Sequence, residues 1–206
     1  MKYFLFLTIF FITFFQENNR PEIADQLIKR YEIKNGFEAS VKISVDVPGI
    51  TAPEKIVEIS AQNGKQPKIK GEGIILMPKK GFIREFSDIL SYPVHWILID
   101  RTEDFEIYKL VSLDPKSDWI TADIKVNLAE PRIDEINITT RDAGLFDIAH
   151  FYDTGRYPIR TVISFTTERF SLPLKFMGKS ELKEMKDSTG VVQGKILLDF
   201  LKFDIY

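Results

Sequence analysis

Eleven residues, Phe37-Glu-Ala-Ser-Val-Lys-Ile-Ser-Val-Asp-Val47, alternate strictly between apolar and polar side chains. Because successive residues of a strand point to opposite faces of a sheet, this pattern predicts a strand with one buried and one solvated face. Pro48-Gly49 ends the strand. The same period of two returns over residues 55–61 and 68–77, which favours a continuing antiparallel meander.

Helical spacing occurs at only two places outside this pattern. Arg20-Pro21-Glu22 begins an amphipathic helix that Asn35-Gly36 ends, and residues 82–90 predict a short second helix before Pro93. Strands then resume at Val94–Asp100, Asp104–Leu113, Ile120–Asn127, Ile133–Thr140, Leu145–Tyr152, Ile159–Glu168, Pro173–Lys186 and Val191–Tyr206. About ten antiparallel strands with two helices predict a mainly antiparallel β fold (α+β), built as one strongly curved sheet or barrel.

The composition excludes several classes of protein. The 206 residues include 28 Lys and Arg against 30 Asp and Glu, a net charge of −2 that does not suit a protein coating nucleic acid. Cysteine is absent, which excludes disulfide scaffolds, thiolate metal sites and cysteine nucleophiles. Seventeen Phe residues supply much apolar surface instead.

The first residues resemble an export signal. Lys2 precedes a run of 13 largely apolar residues, Tyr3–Phe15, which is short compared with the roughly 20 residues of a membrane span. We therefore expect residues 1–15 to be a signal peptide and residues 20–206 to form a single domain. The predicted location is the periplasm or the exterior, in soluble form after cleavage. A short interfacial anchor or a buried strand is the alternative for this segment.

The two histidines do not predict a catalytic or metal site. His95 lies in an apolar strand, where a hydrogen-bonded structural role is expected. His150 lies between Asp147 and Asp153, but both carboxylates would face away from it on a strand. The sequence therefore predicts no metal ligands.

The remaining candidate motifs favour a structural role. The adjacent carboxylates Glu103-Asp104 and Asp134-Glu135 face opposite ways on a strand, and the glycosylation pattern Asn137-Ile-Thr139 lies inside a predicted strand. Lys79-Lys80 with Arg84 is a small basic cluster that solubility explains as well as anion binding does. No nucleophile elbow or phosphate-binding glycine loop occurs. We expect no catalytic residues, no cofactor and no enzymatic activity.

The order of elements resembles the periplasmic lipoprotein carriers of the Lol system and the wider lipoprotein-sorting superfamily. The resemblance is carried by the segments Asp104–Leu110, Ile124–Asn127, Arg132–Gly144, Phe146–Tyr152, Ile159–Phe165 and Gly194–Tyr206. It implies a half-open barrel with helices as a lid over an apolar cavity that receives acyl chains. The segment Gly71–Pro78 keeps the family's glycine spacing loosely, with Lys79 or Lys80 where the family has Arg.

The expected function is therefore non-enzymatic binding of the acyl chains of lipids or lipoproteins in an apolar cavity. Alternation assigns the cavity residues as Val41, Ile43, Val45, Val57, Ile59, Ile75 and Met77, with Phe86 and Ile89 on the lid helix. A solid core is the structural alternative. The functional alternative is an envelope interaction or sensor module that binds a protein partner through its sheet edge or outer surface. A hydrolase using surface carboxylates ranks last.

Overall fold

The computed structural model describes residues 20–32, 34–48, 50–51, 53–62, 68–71, 90, 93–167 and 191–206. One helix precedes eleven strands in this part of the chain. The elements are α1 (Glu22–Tyr31), β1 (Gly36–Val47), β2 (Ile50–Thr51), β3 (Lys55–Gln62), β4 (Lys68–Lys70), β5 (Val94–Arg101), β6 (Phe105–Ser112), β7 (Trp119–Asn127), β8 (Arg132–Thr140), β9 (Leu145–Phe151), β10 (Arg160–Thr167) and β11 (Val192–Ile205).

All the strands belong to one antiparallel sheet. Their order is β4-β3-β1-β11-β10-β9-β8-β7-β6-β5, and the short β2 pairs with the end of β1. Strands β4 and β5 end this order, so the described sheet does not close on itself. The prediction of a mainly antiparallel, half-open barrel of about ten strands with an N-terminal helix is confirmed.

Charged side chains at both ends of helix α1 favour its formation. Glu22 and Asp25 lie in the first turn and Lys29 and Arg30 in the last, which complements the helix dipole. The apolar stripe packs onto the sheet, with Leu27 fully buried. The helix therefore covers part of one sheet face, which we call the inner face; the opposite face is the outer face.

The strict alternation of β1 is realised as burial. Phe37, Ala39, Val41 and Ile43 are buried, whereas the polar residues between them are not. Strand β1 pairs with β3 on one side and with β11 on the other, so this apolar row lies inside the sheet rather than at its edge. The inner face of β1 is consequently part of the main hydrophobic core.

Several predicted elements fall wholly or partly outside the described residues. These are the signal peptide 1–15, the end of the third strand at 72–77, the second helix except for buried Leu90, and the strand at 173–186. Gly71 follows β4 directly and has a φ of 126°, a backbone conformation that glycine adopts without strain.

Gly194 lies against packed side chains that leave little room for a larger residue. A Cβ atom at this position would lie 2.6 Å from both Phe165 Cζ and Val47 Cγ2, which belong to buried side chains. We expect Gly194→Ala to lower the free energy of unfolding by about 1–3 kcal/mol, because the neighbours must shift within a packed core. Urea denaturation measures the change.

Gly155→Ala is the matched control, since the nearest atom to a Cβ there is Tyr157 O at 3.8 Å. Equal losses of stability in the two variants would contradict the proposed crowding at Gly194.

Candidate functional site

The cavity residues predicted on β1 and β3 lie together on the inner face. Val41 is paired with Val57, while Ile43 and Val45 are paired with Leu198 and Ile196 of β11. Val41, Ile43, Val57 and Ile59 are buried and Val45 is partly buried. Ile75, Met77, Phe86 and Ile89 lie outside the described residues.

The inner face remains largely apolar across the rest of the sheet. Each strand from β6 to β11 contributes buried side chains to the same cluster, among them Leu110, Ile124, Ile136, Ile148, Ile163 and Leu198. Half-buried apolar residues border this cluster, including Val45, Phe146, Ile196 and Phe200. The inner face thus presents continuous apolar surface with few directional groups.

The outer face carries rows of complementary charges instead. Residues directly opposite each other on neighbouring strands form these pairs: Lys109–Asp123 at 2.6 Å, Lys125–Glu135 at 2.9 Å, Arg160–Asp199 at 2.5 Å and Lys42–Asp199 at 3.5 Å. The hydrogen bond from Arg160 lowers the pKa of Asp199. Asn137 likewise donates to Asp147 across 2.6 Å. The two faces therefore differ sharply in polarity.

Two of the four carboxylates considered as acid–base candidates are paired with basic side chains. Asp134 accepts a hydrogen bond from Arg132 at 3.0 Å, and Glu135 pairs with Lys125. Glu103 and Asp104 are exposed in the connection between β5 and β6. Their positions fit a solvated surface role.

A ring of hydrogen bonds fixes the end of α1 to the sheet. The ladder between β8 and β9 begins at Glu135, so the N–H and C=O of Ile133 lie beyond it. The Ile133 N–H donates to Tyr31 Oη at 2.9 Å, and Tyr152 Oη donates to the Ile133 carbonyl at 2.8 Å. The two hydroxyls lie 2.9 Å apart. Since a hydroxyl has one hydrogen, Tyr31 must donate to Tyr152, which completes the ring.

Burial keeps this ring neutral, because it raises the pKa of both Tyr31 and Tyr152. Arg156 reinforces the attachment by donating to the final carbonyls of α1, including Lys29 O at 2.5 Å. Capping the negative end of the helix with a guanidinium is electrostatically favourable. Helix α1 is thereby held against the inner face at its C-terminal end.

His150 lies among the apolar residues of the inner face. Its Nδ1 is 2.9 Å from Thr161 Oγ1 on the neighbouring strand, and burial lowers its pKa to about 3. Asp147 is exposed on the opposite face, as the alternation of β9 predicts, and Asp153 lies beyond the strand. The prediction for His95 is wrong: its side chain is exposed on β5, because the neighbouring Trp96 takes the inward position.

A buried carboxylate interrupts the inner face near the other end of the sheet. Glu106 is 2% exposed on β6, where Tyr108 Oη donates to its Oε2 at 2.6 Å and Arg101 Nε to its Oε1 at 2.5 Å. Burial, with the bond to Glu106, raises the pKa of Tyr108 to about 12. This buried group was not predicted from the sequence. One feature of the sequence did indicate it: Glu106 lies two and four residues before Tyr108 and Leu110, and residues at this spacing share one face of a strand.

Two features are absent from the described residues. No group of three His, Asp or Glu side chains there is arranged to hold a metal ion. No helix in that part of the chain is long and apolar enough to cross a membrane.

Comparison with solved structures identifies the fold. A domain from Vibrio parahaemolyticus described as an outer membrane lipoprotein-sorting protein domain is 10% identical, covers 89% of this chain and 91% of its own, and gives a TM-score of 0.52. A DUF1329 family protein from Desulfovibrio piger is 6% identical with coverages of 89% and 90% and a TM-score of 0.52.

A LolA superfamily protein from Nitrosomonas europaea is 13% identical, with coverages of 89% and 93% and a TM-score of 0.47. No protein-family model and no curated protein matches the chain. The chain shares the fold of the lipoprotein-sorting domain, so the Lol-like resemblance indicated by its strand order is confirmed as a likeness of fold.

Removal of one ring hydroxyl tests the attachment of α1. We expect Tyr152→Phe to lower the free energy of unfolding by about 1–3 kcal/mol, because it deprives Tyr31 and the Ile133 carbonyl of a buried partner. Chemical denaturation measures this loss. Tyr206→Phe, at a half-exposed position, should change stability little, and an equal effect of both variants would refute the ring's role.

The pKa of His150 predicts a stability change with pH. Because the folded-state pKa of about 3 lies below the ordinary 6.5, the unfolded chain binds the extra proton between these values. Stability should therefore be complete above about pH 7.5 and fall by about 2 kcal/mol between about pH 7.5 and 5. Denaturation at a series of pH values measures it.

His150→Gln should remove most of this fall, whereas His95→Gln should retain it because His95 is exposed. The same pH dependence in wild type and His150→Gln would contradict the assignment to His150.

Proposed function

We propose that this protein is an exported, non-enzymatic binding protein that holds the acyl chains of lipids or lipoproteins against its inner face. The observation that carries the proposal is the contrast between the two faces of one open sheet. Buried apolar side chains of β1, β3 and β6 to β11 line the inner face, and cross-strand ion pairs line the outer face.

Acyl chains suit this surface for a physical reason. They offer no directional bonds, and each buried methylene contributes roughly 0.8 kcal/mol through removal from water. The half-buried residues Val45, Phe146, Ile196 and Phe200 border the fully buried core, so an apolar chain laid along them would extend that core. The predicted site residues Val41, Ile43, Val57 and Ile59 would support these residues from within.

Export is part of the proposal. The apolar segment at residues 3–15 has the length of a signal sequence, and a Lol-like fold accords with an envelope location. The chain contains no cysteine to which a lipid could be attached. The proposed form is therefore a soluble periplasmic or secreted carrier-like protein.

One observation favours the alternative of a protein partner. Strand β5 ends the described strand order, and its side chains Ile97, Leu98 and Ile99 are each at least two-fifths exposed. An apolar strand at a sheet edge is a template for pairing with an extended segment of another protein. An envelope interaction or sensor module would use this edge.

Native mass spectrometry of the protein purified gently from an exporting host tests both functions. A co-purifying acylated species in near-stoichiometric amount supports the acyl-binding function, and the same spectrum reports whether residues 1–15 have been removed. A protein that is empty and also fails to bind fluorescent fatty acids refutes acyl binding, and cross-linking at β5 then tests the partner function.

A charge on the inner face provides the mutational test. Ile43→Asp should abolish binding of a fluorescent fatty acid or prevent folding, because it buries a carboxylate among Val41, Leu198 and their neighbours. Ile43→Val should retain binding and reduce stability by only about 0.5–1.5 kcal/mol. Fluorescence titration and circular dichroism measure the two properties.

Ser40→Asp is the matched control on the outer face of the same strand, between Lys202 and Glu58. It should fold and bind normally. Unchanged fatty-acid binding by a folded Ile43→Asp protein would refute the assignment of this position.

A further inference from the structure

A β-bulge in β5, the strand that ends the described strand order, turns one charged residue towards the inner face. Leu98 is paired with Tyr108, but the next pairs are Asp100 with Ile107 and Arg101 with Glu106, so Ile99 is the extra residue. Without the bulge, positions 98 and 101 would face opposite sides of the sheet. With it, Leu98 and Arg101 both share the face of buried Tyr108 and Glu106. Bulges commonly re-aim side chains in this way at functional sites.

The carboxylate beneath Arg101 holds the guanidinium in a fixed direction. Arg101 Nε and one terminal nitrogen both engage Oε1 of Glu106, while Tyr108 satisfies Oε2. Glu106 is 2% exposed, whereas the Arg101 side chain is 67% exposed. The negative end of the pair is therefore buried and the positive end faces solvent.

The exposed end of Arg101 retains hydrogen-bond donors. Glu106 engages Nε and one terminal nitrogen, and the other terminal nitrogen carries further N–H groups. A guanidinium matches the planar oxygens of a carboxylate or phosphate, and such charge-assisted bonds are strong. Leu98, which is 47% exposed on the same face, provides apolar surface directly beside this charge.

We infer that Arg101, oriented by Glu106, binds the anionic head group of the acyl ligand through its carboxylate or phosphate oxygens while the chain extends over Leu98 along the inner face. This inference rests on the proposed function. It adds that the protein selects anionic lipids over neutral ones and binds them in one orientation. Arg101 binds the head group, and Glu106 is a positioning residue that orients Arg101.

The outer face supplies a matched comparison. Arg160 is also half-exposed and also donates through Nε to a carboxylate, that of Asp199, but it belongs to the polar outer face beside Lys42. A general effect of removing a paired arginine should therefore occur at both positions. A head-group contact should be lost only at Arg101.

The experiment compares ligands whose hydrocarbon chains have the same length. Wild type, Arg101→Gln, Arg101→Lys and Arg160→Gln are delipidated and titrated with palmitate, palmitoyl lysophosphatidate and hexadecanol, with folding checked by circular dichroism. We expect wild type to prefer at least one anionic ligand over hexadecanol. Arg101→Gln should lower the affinity for that anionic ligand about tenfold or more. It should lower the affinity for hexadecanol less than about twofold.

The anionic ligand with the larger loss identifies whether a carboxylate or a phosphate is the natural head group. Arg101→Lys keeps the charge but loses the planar fork, so it should show an intermediate loss and serves as the folded variant if Arg101→Gln does not fold. Arg160→Gln should bind all three ligands as wild type does.

Two results would overturn the inference while the proposed function stands. In one, wild type binds hexadecanol as tightly as both anions. In the other, the Arg101 variants lose affinity equally for all three ligands. If wild type binds none of the three ligands, the proposed function fails and the head-group site fails with it.

Discussion

The ladder between β1 and β11 is the contact on which the rest of the structure depends. It joins the strands nearest the two ends of the described chain over ten residue pairs, and it unites β4-β3-β1 with the seven strands from β11 to β5. Closing so long a loop costs conformational entropy before any contact is gained. The buried rows that face each other here, such as Ile43 with Leu198, provide the compensating hydrophobic stabilisation.

This union gives the sheet one continuous inner face, and α1 is then attached where the sheet would otherwise be incomplete. At Ile133 the β8–β9 ladder has ended, and two tyrosine hydroxyls satisfy the backbone groups that β9 does not reach. Tyr31 of the helix also contacts the ring of Tyr157 edge-on. Tyr157 stacks on Phe203, and Phe203 stacks on Phe37, so the helix contacts a row of aromatic rings. Hydrogen bonds and aromatic packing therefore both hold α1 to the sheet.

The sequence predicted much of this architecture because alternation reports the faces of a strand directly. The pattern of residues 37–47 identified Val41 and Ile43 as buried, and the structure places them opposite Val57 and Leu198. His95 was misjudged because every second residue of an apolar edge strand can be exposed. Glu106 was missed because polar residues in strands are ordinarily solvated, and its partner Arg101 is on another strand.

By itself, the sequence determined the period of two, the amphipathic α1 and hence a curved antiparallel sheet with one apolar face. Those features arise from neighbouring side chains and need no knowledge of distant contacts. Only the tertiary structure decided which strands join, where bulges occur and which polar groups enter the inner face. A bulge such as that at Ile99 shifts the register against a partner strand, so the direction of Arg101 is fixed by pairing between strands and leaves no mark in the local pattern.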